Sequence, residues 1–173
     1  MEQWGFLIDT QSCVGCKACE IACKNRNHLG VGPRLRRVST IESGEFPDTV
    51  VTNISLACMH CGKPACVAVC PTGALFKRSQ DGVVIVDRTK CIGCHYCFFA
   101  CPFGVPQYAD DGTMVKCDLC TDRREVGLEP ACVQTCFYHA LYAGPLTELS
   151  SLMRDKMANR LAGSSDPSIL VIQ

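Results

Sequence analysis

The sequence lacks several features that would assign it to common classes of protein. Its longest apolar stretches are interrupted by Cys, Gly or Pro, so none reaches the length of a membrane span. The segment Met1–Trp4 has no basic stretch followed by a long apolar run, which a secretory signal would require. Lys and Arg total 17, as do Asp and Glu, and no basic block lies beside stacking aromatics. These absences predict a cytoplasmic location, no direct membrane span and no nucleic-acid partner.

Catalytic groups are also scarce. The chain has 4 histidines, and no segment combines a nucleophile with a base or pairs two carboxylates for acid–base chemistry. No Gly-rich phosphate loop lies between a predicted strand and a predicted helix. The sequence therefore predicts no catalytic residues and a chain that is not itself an enzyme.

Cysteine, by contrast, is abundant, with 16 among the 173 residues. In a short secreted chain such a share would indicate a disulfide scaffold. Here the cysteines fall into groups of four, with most gaps only two or three residues long, and no secretory signal precedes them. This spacing favours metal ligation by reduced thiols over disulfide bonds.

The third group has the spacing of a particular cofactor. Residues 91–102 form a C-x2-C-x2-C-x3-C-P run, which bacterial ferredoxins use to hold a 4Fe–4S cluster. Three closely spaced thiolates wrap around one cubane, and Gly93 lets the backbone approach its sulfides. Cys101 comes where the chain should turn into a helix, which directs its sulfur towards a neighbouring cluster. The run therefore predicts two clusters, its own and one beside it.

Similar groups recur along the chain. Residues 8–16 match residues 86–94 at an offset of 78, with Asp, Gly and both Cys in the same places. Residues 64–75 match residues 130–141, and both contain Pro-Ala-Cys-Val followed by a second Cys. Repeats of this kind indicate an internal duplication.

Sixteen cysteines in four groups of four predict four 4Fe–4S clusters. The fourth group, Cys117, Cys120, Cys132 and Cys136, taken alone would also fit a four-thiolate zinc site. The complete runs elsewhere in the chain favour iron–sulfur ligation. A zinc- or cluster-stabilised interaction module without a redox role stays as an alternative.

The pattern from Trp4 to Leu146, with an eleven-residue spacer in the last group, resembles one family. It is similar to the four-cluster electron-transfer subunits of molybdenum and tungsten oxidoreductases. The nearest likeness is to the iron–sulfur subunit of dimethyl sulfoxide reductase-type enzymes, and polyferredoxin subunits of tungsten aldehyde oxidoreductases are also similar. The resemblance implies that group one shares its ligands with group four, and group two with group three.

Four ligand sets follow from this resemblance, and none has lost a cysteine. Carried onto this sequence, they are Cys13, Cys16, Cys19 and Cys136 (set one); Cys23, Cys117, Cys120 and Cys132 (set two); Cys58, Cys61, Cys66 and Cys101 (set three); and Cys70, Cys91, Cys94 and Cys97 (set four).

The resemblance also implies a function. The chain would conduct electrons between a molybdenum- or tungsten-pterin catalytic subunit and a second redox partner, which would be a flavin subunit, a ferredoxin or a membrane quinol subunit. A free-standing polyferredoxin that serves several enzymes is the alternative. Relatives can be exported together with a signal-bearing catalytic subunit, so export is the alternative to the cytoplasm.

The predicted fold is α+β, with two interleaved ferredoxin-like modules. Groups one and four form the first module from 1–57 and 105–145, which includes an insertion at 24–57, and groups two and three form the second from 58–104. The remaining 146–173 is predicted as a helix, from the spacing of its Leu and Met residues, followed by an extended tail. A strand is predicted at Trp4–Asp9 and a hairpin around Asp81-Gly82.

Two sets of polar residues have two interpretations each. Arg34, Arg36 and Arg37 in the insertion form either a solvated loop that balances cluster charge or a docking surface. His60 and His95 lie within cysteine runs, where they either fill the loop surface or donate to a sulfide and tune its potential. For the histidines we favour the loop surface.

Overall fold

The computed structural model of this chain describes residues 2–152, 158–160 and 169–172. Helices within these ranges are short, and several begin just before or at a cysteine. They are α1 (Ala18–Arg26), α2 (Ala65–Ala68), α3 (Tyr96–Ala100), α4 (Thr121–Glu125), α5 (Ala131–Gln134) and α6 (Leu146–Ser151). A 3₁₀ turn at Arg88–Lys90 precedes the third cysteine group.

Strands connect the cysteine groups. They are β1 (Trp4–Asp9), β2 (Arg36–Ser43), β3 (Val50–Ala57), β4 (Leu75–Lys77), β5 (Val84–Val86), β6 (Gln107–Tyr108), β7 (Met114–Val115), β8 (Leu141–Pro145), β9 (Ala158–Arg160) and β10 (Ile169–Ile172). The mixture of short helices and strands agrees with the predicted α+β class.

One four-stranded sheet forms the framework at the end of the molecule that carries groups one and four. Its order is β8-β1-β10-β9, with β1 antiparallel to β8 and parallel to β10. Residues Phe6, Leu7 and Ile8 of β1 are apolar and buried because both faces of the strand are covered. Phe6 and Ile8 lie in the main core, and Leu7 packs on Leu149. The predicted strand at Trp4–Asp9 and the extended segment at 169–172 are thus confirmed.

The C-terminal helix is confirmed only in its first part. Helix α6 begins at Leu146, and Leu149 packs on Leu7 of β1. Met153 and Met157, which also contributed to the predicted helix, lie outside the described residues.

Three antiparallel hairpins complete the structure. The first, β2–β3, is the long insertion between the first two cysteine groups, with Arg36 opposite Ala57. The second, β4–β5, turns at the predicted Asp81-Gly82, where Gly82 has φ +68°. The third, β6–β7, lies against the third cysteine group, since the Met114 N–H donates to the Cys91 Sγ at 3.3 Å.

The sequence repeats have structural counterparts. The β1–β8 pair brings Ile8 opposite Leu141, and the Asp9 N–H donates to the Ala140 carbonyl at 2.9 Å. The β5–β4 pair brings Val86 opposite Leu75, and the Asp87 N–H donates to the Ala74 carbonyl at 2.7 Å. In each case the strand before one cysteine group pairs with the strand after another. The origin of this likeness by duplication, and the module boundaries, stay predictions.

Candidate metal centres

Among the described residues, which include all sixteen cysteines, no disulfide is formed. Most of the thiols are buried or half-buried, and Cys16 is exposed. The surroundings of each cysteine indicate which other cysteines can share a metal site with it.

The first cavity is lined by all four cysteines of the predicted set one. These are Cys13, Cys16, Cys19 and Cys136. Polar groups of the chain already face two of the sulfurs. The Ala140 N–H donates to Cys136 Sγ at 3.3 Å, and the Ser55 hydroxyl lies 3.3 Å from Cys19 Sγ. The cavity therefore combines four thiols with hydrogen-bond donors.

A second cavity is lined by the four cysteines of set four. These are Cys70, Cys91, Cys94 and Cys97. The Tyr108 hydroxyl lies 3.6 Å from Cys97 Sγ. Although desolvation opposes ionisation, the Leu75 N–H and the Thr72 hydroxyl lower the pKa of Cys70 below its ordinary value. This cavity thus repeats the features of the first at the other end of the molecule.

The thiols of set two are deeply buried neighbours. Burial first, and then the adjacent Cys132, raise the pKa of Cys23 to about 12, with a further contribution from Cys120. Burial and Cys23 likewise raise the pKa of Cys117 well above its ordinary value. Three of the four thiols of the last group therefore lie beside Cys23.

The cysteines of set three also influence one another. Burial, followed by Cys58, raises the pKa of Cys66 to about 12, and Cys101 and Cys61 act in the same direction. Thiols in such places hold their protons unless a metal replaces them, because iron binds the thiolate form. Cysteines that are far apart in sequence thus lie near one another in the fold, and the four ligand sets stay a prediction.

The zinc interpretation of the fourth group does not match this arrangement. Cys136 lines the first cavity, whereas Cys117, Cys120 and Cys132 lie near Cys23. The group is divided between two sites.

The ligand loops of groups one and three share an unusual backbone. Gly15 and Gly93 have φ of +70° and +66°, and Lys17 and His95 adopt left-handed angles of 61° and 64° just before helices α1 and α3. Two positive φ values in three residues turn the chain sharply between the cysteines of each C-x2-C-x2-C run. A side chain at Gly93 would come within 2.8 Å of the carbonyl oxygen of Gly112.

Arg36 corrects the prediction for the basic insertion. It is only 2% exposed, and its Nη1 donates to both the carbonyl oxygen and Oγ of Ser55 at 3.1 Å. Both the solvated-loop and the docking interpretations are therefore wrong for Arg36. The reason is that side chains alternate along a strand, so Arg36 of β2 points inward and Arg37 points outward. Arg34 is exposed, and its Nη1 lies 3.6 Å from Oε2 of Glu20.

His60 corrects a second prediction. It is fully buried, so the interpretation that it fills the loop surface is wrong. Its Nδ1 accepts a hydrogen bond from the Val84 N–H at 3.1 Å. Burial, and then the nearby cations Lys116 and Arg124, lower the pKa of His60 well below its ordinary value, so the ring is neutral. His95, by contrast, is exposed, in agreement with the prediction.

Sequence reasoning also missed Lys116, which is 5% exposed. Its Nζ donates to the carbonyls of Val84 and Cys117, and its charge lowers the pKa of Cys66 against the effect of burial. Its position directly before Cys117 was the only feature of the sequence that could have indicated a place beside a metal site. A lysine in the interior beside cysteines supplies positive charge where thiolates would add negative charge.

Comparisons with known proteins identify the type of domain. A family described as the 4Fe–4S dicluster domain matches residues 49–146, and a second family of the same description matches residues 12–74. One of the chains of anaerobic dimethyl sulfoxide reductase from Escherichia coli (strain K12) is 44% identical over 156 residues, covering 85% of this chain and 76% of that protein.

Other relatives belong to different complexes. A subunit of sulfite dehydrogenase from Allochromatium vinosum is 40% identical over 182 residues, covering 90% of this chain and 76% of the relative. The formate dehydrogenase iron–sulfur subunit of Wolinella succinogenes is 35% identical over 183 residues, covering 92% of this chain and 90% of the relative. Among the described helices, none has both the length and the apolar character needed to cross a membrane.

Proposed function

The chain belongs to the family of iron–sulfur subunits built from 4Fe–4S dicluster domains, and on that premise we propose that it conducts electrons between a molybdenum- or tungsten-pterin catalytic subunit and a second redox partner. It carries four 4Fe–4S clusters, for which its 16 cysteines supply four thiolates each. The observation that carries the proposal is the pair of separate cavities, each lined by four thiols from distant parts of the chain.

The ligand sets implied by the sequence are part of the proposal. Two of them, sets one and four, coincide with the cysteines that line the two cavities. Sets two and three are supported by the mutual influence of their thiols, centred on Cys23 and Cys66. Donors such as the Ala140 and Met114 N–H groups suit sulfur ligands, since they already point at cysteine Sγ atoms.

When bound, a 4Fe–4S cluster accepts and releases one electron without moving the protein around it. The chain's residues hold the thiolates in place, keep water away and offset negative charge. Four cubanes with their thiolates would add a charge of roughly −8, which a chain of formal charge +0 must accommodate. Arg36 and Lys116 place two positive charges in the interior beside cysteines, where water cannot screen the clusters.

The partners follow from the relatives. Dimethyl sulfoxide reductase, sulfite dehydrogenase and formate dehydrogenase are named for reactions on a substrate, and the similar proteins are named as individual components of these enzymes, one of them as an iron–sulfur subunit. We extend this division of labour to the present chain, which would then transform no substrate itself. We propose that the second partner is a flavin subunit, a ferredoxin or a membrane quinol subunit. We also propose a location in the cytoplasm, with export beside a signal-bearing catalytic subunit as the alternative.

The test is elemental analysis of the complex isolated anaerobically from the native host. About sixteen irons per chain, as four cubanes require, together with molybdenum or tungsten would support the proposal and identify the type of catalytic partner. The same iron without either metal, in a chain that purifies alone, would favour a free-standing polyferredoxin. Zinc in place of iron would contradict electron transfer altogether.

A further inference from the structure

Two buried donors have no acceptor in the part of the chain that the structure describes. Of the buried side-chain nitrogen and oxygen atoms there, only Arg36 Nη2 and His60 Nε2 form no hydrogen bond. Leaving a buried polar group unpaired costs about 1–3 kcal/mol, and more for a charged one, so a folded protein seldom tolerates it. The two atoms therefore point to an acceptor that the polypeptide does not supply.

The surroundings of Arg36 limit what that acceptor can be. One side of the guanidinium is used, because Nη1 binds Ser55 and Cζ lies 4.4 Å from the centroid of the Phe6 ring. The charge interacts with cysteines of two predicted sets, among them Cys19 and Cys117. Because Ser55 Oγ accepts from Arg36, its own hydrogen is free to donate to Cys19 Sγ, 3.3 Å away. Arg36 thus lies at the junction between the sites of sets one and two.

The tautomer of His60 follows from its single hydrogen bond. Nδ1 accepts from the Val84 N–H, so the proton of the neutral ring is on Nε2, which is therefore a donor. His60 is next to Cys61 and two residues from Cys58, both of the predicted set three. The nearby Lys116, a cation, cannot serve as its acceptor. Among the described residues, the sulfur atoms of these cysteines are the acceptors that the sequence places next to His60.

We infer that Arg36 and His60 are positioning residues of the electron pathway, and that each donates its unpaired N–H to a sulfur atom of the adjacent iron–sulfur site. The inference rests on the proposed function. A donor to sulfur stabilises the more negative, reduced state, so each contact raises the reduction potential of the site that it touches. Arg36 adds a full positive charge to this effect, whereas His60 contributes a neutral dipole.

The first test is a redox titration, followed by electron paramagnetic resonance, of the full chain with its clusters assembled anaerobically. Arg36→Met removes the donor and the charge, and Arg36→Lys keeps the charge but not the planar pair of donors. We expect a large negative shift of one or two midpoint potentials for Arg36→Met and a smaller one for Arg36→Lys. Arg37→Met is the control, because Arg37 faces solvent. The midpoint potentials of the clusters in this variant should equal those of the unmodified protein.

The second test separates the donor of His60 from its packing. In His60→Asn the side-chain oxygen can still accept from the Val84 N–H, but the Nε2 donor is lost. We expect a negative shift confined to one cluster, smaller than that of Arg36→Met, with iron and sulfide contents unchanged. His28→Asn is the matched control, since His28 lies outside the cysteine groups and has φ 49°, which Asn tolerates.

The results distinguish the inference from the function. Four reversible clusters in the unmodified chain, with potentials that do not move in Arg36→Met, Arg36→Lys or His60→Asn, would overturn the inference and leave the function intact. If the Arg36 variants lose iron, their midpoint potentials no longer test the inference. The potential of His60→Asn then tests it alone, because this substitution changes no charge. An unmodified chain that binds no iron, or whose clusters cannot be reduced, would overturn both.

Discussion

The two ends of the molecule build similar ligand loops on unequal frameworks. The one–four region (residues 2–57 and 117–145, around cysteine groups one and four) rests on the β1–β8–β10 sheet and on a core that includes Phe6, Ile8 and Leu35. The two–three region (residues 58–116, around groups two and three) has two small hairpins. Some of its buried residues, such as Met59 and Val83, join the core of the one–four region, and Leu75, Val84, Cys97 and Met114 form a small separate core.

The difference shows what the cofactor contributes to the fold. The one–four region rests on a sheet in which β1 is paired along both edges, although five of the sixteen buried residues of its core are cysteines. In the two–three region one of the four buried core residues is a proposed ligand, so thiolate–iron bonds replace apolar contacts that a larger core would provide. The same loop geometry can thus be stabilised either mainly by packing or mainly by metal.

Removal of iron should therefore affect the two regions differently, and this is the largest effect that we expect. With an anaerobic chelator, amides of β4 and β5 should lose nearly all protection from hydrogen exchange, because three-residue strands with a small core are unstable alone. Amides of β1 should retain much more, since both edges of that strand are paired. Equal loss of protection in both regions would contradict the comparison.

Loss of one proposed ligand in each region gives a more local comparison. Cys97→Ser should lower the iron content by roughly a quarter, one cluster of four, and interrupt electron flow to the catalytic partner. It should also raise hydrogen exchange in β4 and β5, because Cys97 belongs to their core. Cys19→Ser is the matched variant and should remove a similar amount of iron. Cys19 also lies in the core of β1, but hydrogen exchange in β1 should change little because both edges of that strand are paired.

Two results would weaken this account. Unchanged electron flow in Cys97→Ser would count against an obligate pathway through all the clusters. Equal exchange in β4 and β5 for the two variants would show that Cys97 has no special importance for packing.

The sequence predicted the chemistry better than the packing. The cysteine spacing and the strand at Trp4–Asp9 were recognisable because both depend on local order along the chain. The pairing of the cysteine groups came from a family resemblance, since spacing alone does not say which distant groups meet. The parallel contact of β1 with Ile169–Ile172 joins segments far apart in the sequence, which no local pattern predicts.

The buried polar residues could not be predicted for a different reason. Charged and imidazole side chains are exposed in most proteins, so Arg36, His60 and Lys116 carried no signal of burial. Each is buried because segments distant in sequence bring cysteines or carbonyl groups around it, as Ser55 does for Arg36. Only the tertiary structure shows that these polar residues accompany the metal sites.

An ion pair that joins the two regions should have the next largest effect. Asp81, in the β4–β5 turn, lies 2.6 Å from Arg124 of α4 and 3.3 Å from Arg78, with about nine-tenths of each partner's side chain buried in the Asp81–Arg124 pair. Asp81→Asn should lower the free energy of unfolding by about 2–3 kcal/mol, because it leaves a buried cation without its partner. Anaerobic guanidinium denaturation followed by circular dichroism measures this change.

The control is an ion pair that lies on the surface. Arg88 and Asp111 are 2.7 Å apart, but their side chains are 48% and 57% exposed. Arg88→Gln should change the free energy of unfolding by less than about 0.5 kcal/mol, since water and salt screen such a pair. A similar loss for both variants would mean that the Asp81 contact does not hold the regions together.

The equivalent glycines of the two ligand loops, Gly15 and Gly93, provide the comparison with the smallest expected difference in stability. Gly93→Ala should cost about 1–2 kcal/mol, because φ +66° is strained for alanine and the new Cβ would lie 2.8 Å from the backbone oxygen of Gly112. Gly15→Ala has the same strain, but its Cβ would meet the Asn53 side chain at 2.7 Å, which can rotate away. Its effect on the denaturation midpoint should be smaller.

Relief of the contact at Gly15 tests this explanation directly. The Asn53 amide oxygen accepts from the Thr40 hydroxyl at 2.8 Å, and its amide nitrogen donates to the Cys13 carbonyl at 3.4 Å, so rotation of this side chain breaks two hydrogen bonds. In the background of Asn53→Ala, the additional effect of Gly15→Ala should fall to the backbone strain alone, about 1 kcal/mol. No side-chain substitution can relieve Gly93, since its obstacle is main chain. If Asn53→Ala leaves the effect of Gly15→Ala unchanged, the difference between the two loops does not come from their neighbours.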